Sequence, residues 1–398
     1  MADLENPDLR RARLSRAFFL AAILCASVLN PLNSATISVA LPVLLEQFHA
    51  GAGDLVWLIS AYYFGSALAQ PVFGKLGDQF GYRLFVYLGL AILVVPTVAA
   101  PFAPAFGWLV GWRGIFWLNA PLIAAVAVCL RLGLRQAPAA RTPTRQGVRT
   151  AVDLPGIVLL AASLGVLLAA SAIPGDPASL WLLLAGALLV SLLWTVELRA
   201  AAPAFDVGLL RRPAFALAGA ITVLVNFVMY LVLYGLPSLL EAERGVTPLA
   251  SGFFLLGFAG VLAVASPFAG RVAQGTRRRE PLLWAGLLLV LGSLGLTQTL
   301  TMPLALLFIP LALIGVSFAL SSVLLQKLSL ESAPPSDAGS ASGLYTLLRY
   351  VGTMGSSVAI AVALPKGHAA PLLLFSLAAL AAWLSTALAA PVREAARP

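Results

Sequence analysis

Residues 74–83 read GKLGDQFGYR and form a short polar turn between two long apolar segments. Gly74 and Gly81 allow a tight turn and a close approach of the flanking helices. Asp78 is placed to accept hydrogen bonds at a helix N-terminus, and Arg83 supplies an opposite charge at the membrane boundary. The pattern predicts a structured loop between two membrane helices, and the alternative is a tight basic turn with no further role.

Apolar segments long enough to cross a bilayer lie on both sides of this turn. They cover residues 17–46, 54–74, 84–111, 115–133, 154–173, 178–196, 214–240, 248–269, 281–300, 303–326, 339–364 and 370–390. The chain has 398 residues, of which 60% are apolar and 10% charged. A soluble protein needs about a quarter of its residues charged, and barrel strands would be shorter and half polar. The composition predicts an all-α polytopic membrane protein with about 12 transmembrane helices, and it excludes a soluble enzyme and a nucleic-acid-binding domain.

The basic residues are distributed unevenly between the two ends of the spans. With the N-terminus in the cytoplasm, 21 of the 25 lysines and arginines fall in inner loops and tails, and three fall in outer loops. This bias predicts a multi-pass protein of the cell membrane with both termini in the cytoplasm. It also accounts for the net charge of +9 without nucleic acid as a partner.

The longest inner connection, residues 131–153, is a polar linker that contains five arginines and two prolines. Such a segment is typical of a boundary between helical bundles. We therefore divide the chain into three parts. Residues 1–133 form a depleted N-terminal bundle of about four spans, residues 134–213 a basic linker with two intervening spans, and residues 214–398 a six-helix C-terminal bundle.

Several motifs together resemble one family. Residues 74–83 are similar to the G-x-L-x-D-x-x-G-R-[RK] loop of the major facilitator superfamily. Other stretches resemble the fourteen-helix drug:proton antiporter branch, namely 32–42, 57–62, 112–121, 197–212 and 349–352. The resemblance covers nearly the whole chain. It implies major-facilitator-type helical bundles, secondary transport by alternating access, and a conformational-switch role for Gly74, Asp78, Gly81 and Arg83.

The sequence departs from this branch in three places. Asn33 stands where the first-helix motif of the branch has an acidic residue. Residues 84–111 look like the front of the third family helix joined to the end of the fifth, which leaves about two helices of the first half missing. The second half's copy of the loop, near Arg271 and Arg277, has lost its acid.

Polar and aromatic side chains within the spans are the candidates for a substrate cavity, because amides and charges facing lipid are costly. Arg349 is the only basic residue in the middle of a span. It either braces helices through carbonyls and hydroxyls or binds a polar or anionic group of the substrate. The other candidates are Asn30, Asn33, Tyr62, Gln70, Asn226, Tyr230 and Tyr345. Each amide alone is also consistent with helix–helix hydrogen bonding, and we expect Gln298 and Gln326 to face the protein interior as well.

The sequence does not contain the pattern of an enzyme or of a nucleotide-driven pump. The two histidines, His49 and His368, fall in outer loops, and no phosphate-binding G-x-x-x-x-G-K-[ST] occurs. We expect no catalytic residue, cofactor or metal. All 16 acidic residues lie in tails, in loops or at helix ends. Proton coupling usually needs a buried carboxylate, so it is implied by the resemblance alone.

These observations predict a secondary transporter that exports small amphipathic compounds or drugs. Its partners are a small-molecule substrate, the lipid bilayer and, by resemblance, protons. The alternative is a non-transporting or truncated accessory membrane protein derived from this family, which the missing helices and the lost acid favour. We make no prediction of the oligomeric state.

Overall fold

The computed structural model describes residues 64–66, 88–89, 91, 153–172, 177–200, 203, 206–275, 277–334 and 338–392. The chain divides into two compact units. One comprises Met1–Ala40 with Leu76–Thr150, and the other comprises Leu41–Lys75 with Ala151–Pro398. Among the described residues only 88–89 and 91 belong to the first unit, so the helices of the second unit define the fold.

The described residues contain nine α-helices and no β-strand. The helices are α1 (Leu154–Ala172), α2 (Pro177–Arg199), α3 (Pro213–Tyr230), α4 (Leu236–Arg244), α5 (Pro248–Gln274), α6 (Arg279–Leu296), α7 (Phe308–Glu331), α8 (Ala338–Ala363) and α9 (Ala370–Ala389). A π-helical turn, Leu231–Gly235, joins α3 to α4 without a break. Short 3-10 turns precede three helices, at Val207–Arg211, Leu304–Leu307 and Leu364–Ala369. The predicted all-α class is confirmed.

Local sequence signals set the boundary between α4 and α5. Gly245 ends α4 with a left-handed φ of 60°, a conformation that glycine adopts without a steric penalty. Two residues later the Thr247 side chain accepts a hydrogen bond of 3.3 Å from the backbone nitrogen of Ala250. This N-cap satisfies one of the free donors at the start of α5. The connection between the two helices is therefore only three residues long, 245–247.

Helices α3 and α7 organise the packing in this unit, since α3 contacts α7, α8 and α9, and α7 also contacts α5, α6 and α8. Helix α6 packs against α7 and α9, α5 packs against α7, and α1 packs against α2. Small residues permit the closest of these contacts. A Cβ atom on Gly292 of α6 would lie 2.9 Å from the carbonyl oxygen of Pro310 in α7. The Ser317 hydroxyl of α7 donates to the Ala285 carbonyl of α6 at 2.6 Å, so a polar bond reinforces this interface.

Six helical segments among the described residues are long and apolar enough to cross a membrane. They are Leu180–Arg199, Pro213–Arg244, Leu249–Gln274, Arg279–Leu296, Leu304–Glu331 and Lys366–Ala389. Helix α8 has 26 residues but is more polar, because it carries Arg349 and a series of hydroxyl side chains. The chain is thus a multi-pass membrane protein, and the count of about twelve spans stays a prediction.

Candidate functional site

Helices α3 and α8 bring together two of the predicted site residues, Asn226 and Arg349. The Nε atom of Arg349 lies 3.4 Å from Oδ1 of Asn226. The amide nitrogen of Asn226 donates to the Thr222 carbonyl, one turn earlier in α3, at 2.8 Å. Asn226 is buried, with 3% of its surface exposed, whereas Arg349 is half-buried. The amide is held by its own helix with its oxygen directed at the arginine.

The close approach of α3 and α8 depends on Gly352, one turn after Arg349. A Cβ atom at this position would overlap the Val223 carbonyl oxygen and lie 3.1 Å from the backbone nitrogen of Phe227. Both of these are backbone atoms of α3, which no side-chain rearrangement can move away. Glycine at 352 is therefore what lets the two helices approach until Arg349 reaches Asn226.

Tyr345, another predicted site residue, ties this cluster to α7. It lies one turn before Arg349 and is buried. Its hydroxyl donates to the Ser322 carbonyl oxygen of α7 at 3.3 Å. One turn after Arg349, the Thr353 hydroxyl donates back to the Arg349 carbonyl at 3.1 Å. Arg349, Asn226 and Tyr345 thus form one polar cluster where α3, α7 and α8 meet.

In the part of the chain that the structure describes, Arg349 has a neutral amide as its hydrogen-bond partner and takes part in no ion pair. The four ion pairs found there are Arg277–Glu280, Arg278–Glu331, Lys327–Glu331 and His368–Glu243. All lie near helix ends or in loops, and none includes Arg349. A charge in the middle of a membrane helix is costly unless it faces a cavity or a partner. The half-buried guanidinium is therefore the group in this cluster best suited to contact a polar ligand.

Tyr230, also predicted to line the cavity, stacks on Tyr234 with ring centroids 5.8 Å apart and an interplanar angle of 26°. The two side chains are only 5% and 2% exposed, so they belong to the packed core of this unit. They flank the π-helical turn Leu231–Gly235, a distortion that is frequent at functional sites. The turn itself is buried throughout its length.

The expectation that Gln298 and Gln326 face the interior is wrong. Gln298 lies in the turn after α6 ends at Leu296, and its exposed side-chain oxygen accepts a bond of 3.1 Å from the Thr301 hydroxyl. Gln326 is exposed and precedes Lys327 near the end of α7. Both amides are exposed near the end of a helix, so neither needs a partner in the protein interior.

The predicted switch loop and half of the cavity candidates lie outside the described residues. They are Gly74, Asp78, Gly81, Arg83, Asn30, Asn33, Tyr62 and Gln70. Their roles stay predictions. His368 is described, and its Nδ1 atom lies 2.5 Å from Oε2 of Glu243, a neighbour that was not expected. In the described part of the chain no three His, Cys, Asp or Glu side chains converge as metal ligands would.

The sequence did not reveal the acid that pairs with the basic residues of the loop between α5 and α6, because this acid comes from another helix, α7. Glu331 at the end of α7 pairs with Arg278 and lies 3.6 Å from the Lys327 ammonium. The same ammonium also donates to the Ala273 carbonyl of α5. The i,i+4 spacing of Lys327 and Glu331 was the available signal. The loop between α5 and α6 is therefore held by a carboxylate outside its own motif.

A family model and several known proteins match this chain. The model described as Major Facilitator Superfamily matches residues 23–110 and 91–357. The uncharacterized MFS-type transporter YwoD of Bacillus subtilis is 30% identical, with 89% of this chain and 92% of that protein covered. The multidrug resistance protein Stp of Mycobacterium tuberculosis is 25% identical, with 82% and 72% covered. The tetracenomycin C resistance and export protein of Streptomyces glaucescens is 24% identical, with 85% and 74% covered.

A solved structure has the same fold. It is that of a bacterial homolog to the human lysosomal transporter Spinster, in an inward-facing and occupied conformation. The TM-score is 0.54 at 14% sequence identity, and 94% of this chain and 96% of that chain are covered. At this identity the likeness concerns the fold alone.

The alignments also contain positions at which this chain has no residue. The alignment with YwoD has 424 positions and covers 89% of the 398 residues, about 354, so about 70 positions hold no residue of this chain. The alignment with Stp has 398 positions and covers 82%, about 326 residues, which leaves about 72 such positions. Two membrane helices with their connections need a segment of this size.

Proposed function

Because the chain belongs to the major facilitator superfamily, we propose that it exports small amphipathic compounds across the bacterial cytoplasmic membrane by alternating access. Members of this family are membrane transporters of small molecules and not enzymes. Two of the relatives are named for multidrug resistance and for resistance to and export of tetracenomycin C, which supports efflux as the direction. The proposal keeps both termini in the cytoplasm, as the distribution of basic residues indicates.

The observation that carries this proposal is the half-buried Arg349 beside Asn226. A guanidinium has five N–H donors, and the Nε donor faces the Asn226 amide oxygen. No hydrogen bond of the terminal nitrogens is found among the described residues. These nitrogens form a planar fork that suits a carboxylate or another acceptor on a substrate. The cluster thus supports binding of a compound with an acceptor group attached to an apolar body.

The first half of the chain completes the proposed mechanism. We place the conformational switch at Gly74, Asp78, Gly81 and Arg83, and the rest of the cavity wall at Asn30, Asn33, Tyr62 and Gln70. In this arrangement residues 1–133 and 214–398 are the two bundles, and residues 134–213 connect them. Proton coupling requires an acid on the transport path. The sequence offers two candidates, Asp54 near the outer end of the second apolar segment and Asp78 in the cytoplasmic loop.

A non-transporting membrane protein derived from the family is the second candidate. The positions of YwoD and Stp that have no counterpart in this chain, about 70 in each alignment, favour it. The two matches of the family model also overlap at residues 91–110, inside the segment interpreted as a junction of two family helices. A protein whose first bundle lacks two helices could keep the binding cluster in its second half and still fail to alternate between inward-facing and outward-facing states.

An efflux assay tests the proposal. The full chain is expressed in a bacterial host that lacks its main drug pumps, and export of fluorescent amphipathic dyes is followed with and without a pH gradient. We expect faster export than in the vector control. Loss of the effect when the gradient is collapsed would indicate proton coupling. Export equal to the vector control across a broad set of dyes, with normal membrane expression, would favour the non-transporting protein.

The same assay tests the binding role of Arg349. Rates are normalised to folded protein in the membrane. Arg349→Ala should reduce export at least tenfold, and Arg349→Lys should give an intermediate rate or a changed set of substrates, because the charge stays but the fork is lost. Val351→Ala is the matched control, since this side chain is exposed on the same helix. A normal rate per folded molecule for Arg349→Ala would rule out the binding role.

A further inference from the structure

An apolar groove of about 600 Å³ runs along the face shared by α5 and α7. Its lining residues are all apolar: Gly260, Val261, Val264, Ala265, Phe268, Ala269, Val272, Val316 and Leu320. The α5 residues that line it extend from position 260 to position 272. At 1.5 Å per residue this is about 18 Å, close to the ~15 Å thickness of one hydrocarbon leaflet. The groove has the length of one acyl chain and no polar group to bind a hydrophilic solute.

The two helices that form the groove are in close contact at one of its ends and are held together beyond the other. At one end, a Cβ atom on Gly315 of α7 would lie 3.1 Å from the Val261 side chain and 3.4 Å from the Phe258 carbonyl oxygen of α5, so the helices are in close contact there. Beyond the other end, the Lys327 ammonium donates to the Ala273 carbonyl. The groove is therefore a fixed feature of the packing between these helices.

One end of the groove carries a cluster of positive charge. The Arg271 guanidinium lies 5.6 Å from the ring centroid of Phe268, a groove residue that is 58% exposed. Further basic residues come from three neighbouring segments. They are Arg277 and Arg278 in the loop after α5, Arg279 at the start of α6, and Lys327 near the end of α7. Two acids, Glu280 and Glu331, pair with Arg277, Arg278 and Lys327. With Arg271 included, the cluster has five basic residues and two acids, so its net charge is +3.

We propose that this groove binds one acyl chain of an anionic phospholipid, and that the basic cluster, Arg271 first, binds its phosphate. A zwitterionic lipid would place its own cation among the arginines, whereas an anionic lipid gains their attraction without that cost. Arg271, whose guanidinium lies over the Phe268 ring at the end of the groove, forms no ion pair among the described residues and can therefore bind a phosphate. The site is separate from the Arg349 cluster and does not depend on transport.

Lipid retention by the full-length protein tests the site. The protein is purified in a mild detergent with phosphatidylglycerol or with phosphatidylcholine of identical acyl chains, and bound lipid is counted by native mass spectrometry. We expect the wild type to retain one phosphatidylglycerol in preference to phosphatidylcholine. Arg271→Gln should weaken phosphatidylglycerol binding about fivefold, the factor that corresponds to ~1 kcal/mol for one basic residue near an anionic lipid, and leave phosphatidylcholine unchanged.

A second variant tests the groove itself. Gly260→Phe places a ring at the end of the groove, and the Cβ atom of the new side chain meets no heavy atom within 4 Å. It should lower retention of both lipids. Ala263→Phe is the matched control, because Ala263 is exposed on the same helix and does not line the groove. Equal retention of the two lipids by the wild type would refute the proposal. So would a Gly260→Phe variant that retains as much lipid as Ala263→Phe, since the arginines would then attract lipid without a groove.

Discussion

Replacing Gly352 by alanine should separate α3 from α8 and weaken the Arg349–Asn226 contact. The added Cβ atom would lie 3.0 Å from the Val223 carbonyl carbon and 3.1 Å from the Phe227 nitrogen, and it would overlap the Val223 carbonyl oxygen. Non-bonded carbon contacts are optimal at about 3.5–4.0 Å, so the helices must move apart by on the order of 1 Å.

The cost of this movement has two parts of opposite sign. Alanine favours the helical backbone over glycine by up to about 1 kcal/mol. Overpacking a close helix contact costs about 1–3 kcal/mol, and more where only backbone atoms can yield. Gly355 supplies the comparison, because a Cβ atom there would lie 3.5 Å from the Phe227 ring, an ordinary contact with a side chain. Gly355→Ala gains the same helix propensity without the clash, so the difference between the two variants isolates the steric cost.

The assay is thermal unfolding of the purified protein in detergent, followed by the fluorescence of its eight tryptophans. Gly352→Ala should unfold at a clearly lower apparent temperature than Gly355→Ala, with a difference in free energy of about 1–3 kcal/mol. The apparent temperatures must be compared at one scan rate, because membrane proteins often unfold irreversibly. The increased distance between α3 and α8 weakens the Arg349–Asn226 contact. Export per folded molecule should therefore be slower in Gly352→Ala and unchanged in Gly355→Ala. Equal unfolding temperatures for the two variants would show that the helices are not in close contact at this glycine.

Three further outcomes are expected. Asp78→Asn should leave membrane insertion intact and lower transport, because its carboxylate is placed to hold one conformation of the loop; normal transport would remove the switch role. Cysteines placed within residues 136–150 should be labelled only from the cytoplasmic side, and labelling from outside would overturn the proposed orientation. Glu331→Gln removes the acid between Arg278 and Lys327 and should lower stability by about 1 kcal/mol or less at low salt. The loss should shrink at high salt, and a salt-independent loss would contradict an electrostatic role.

The sequence predicted the helices of the described region well. Each of the eight apolar segments assigned after residue 150 corresponds to a helical segment of the structure. The errors are at the ends. Segment 248–269 continues as helix to Gln274, because a helix extends into the polar layer after its apolar residues stop. Segment 281–300 ends as helix at Leu296, where the chain enters a turn. Hydropathy locates a membrane span, and hydrogen bonding decides where the helix ends.

Arg349 could be found from the sequence, because a charge within an apolar segment stands out. Its partner could not be assigned. Asn226 is 123 residues away, and the sequence contained several other amides within apolar segments that were equally good candidates. The role of Gly352 was also hidden, since a glycine in a membrane helix reveals its function only when the facing backbone is known. Pairings between distant helices depend on their packing, which local patterns do not encode.

The site also indicates how binding and transport can be separated. The groups around Arg349 belong to α3, α7 and α8, all within one compact unit of the chain. The two family helices that the sequence predicts to be missing fall in the first half, as does the predicted switch loop. We expect such a loss to impair alternation before it impairs the arginine cluster, since that cluster keeps its partners within its own unit. If the chain is a non-transporting protein, a dye should still bind to it in detergent, and Arg349→Ala should abolish that binding. If the chain transports, the same substitution should abolish binding and export together. Dye binding that survives in Arg349→Ala would place the binding site elsewhere in either case.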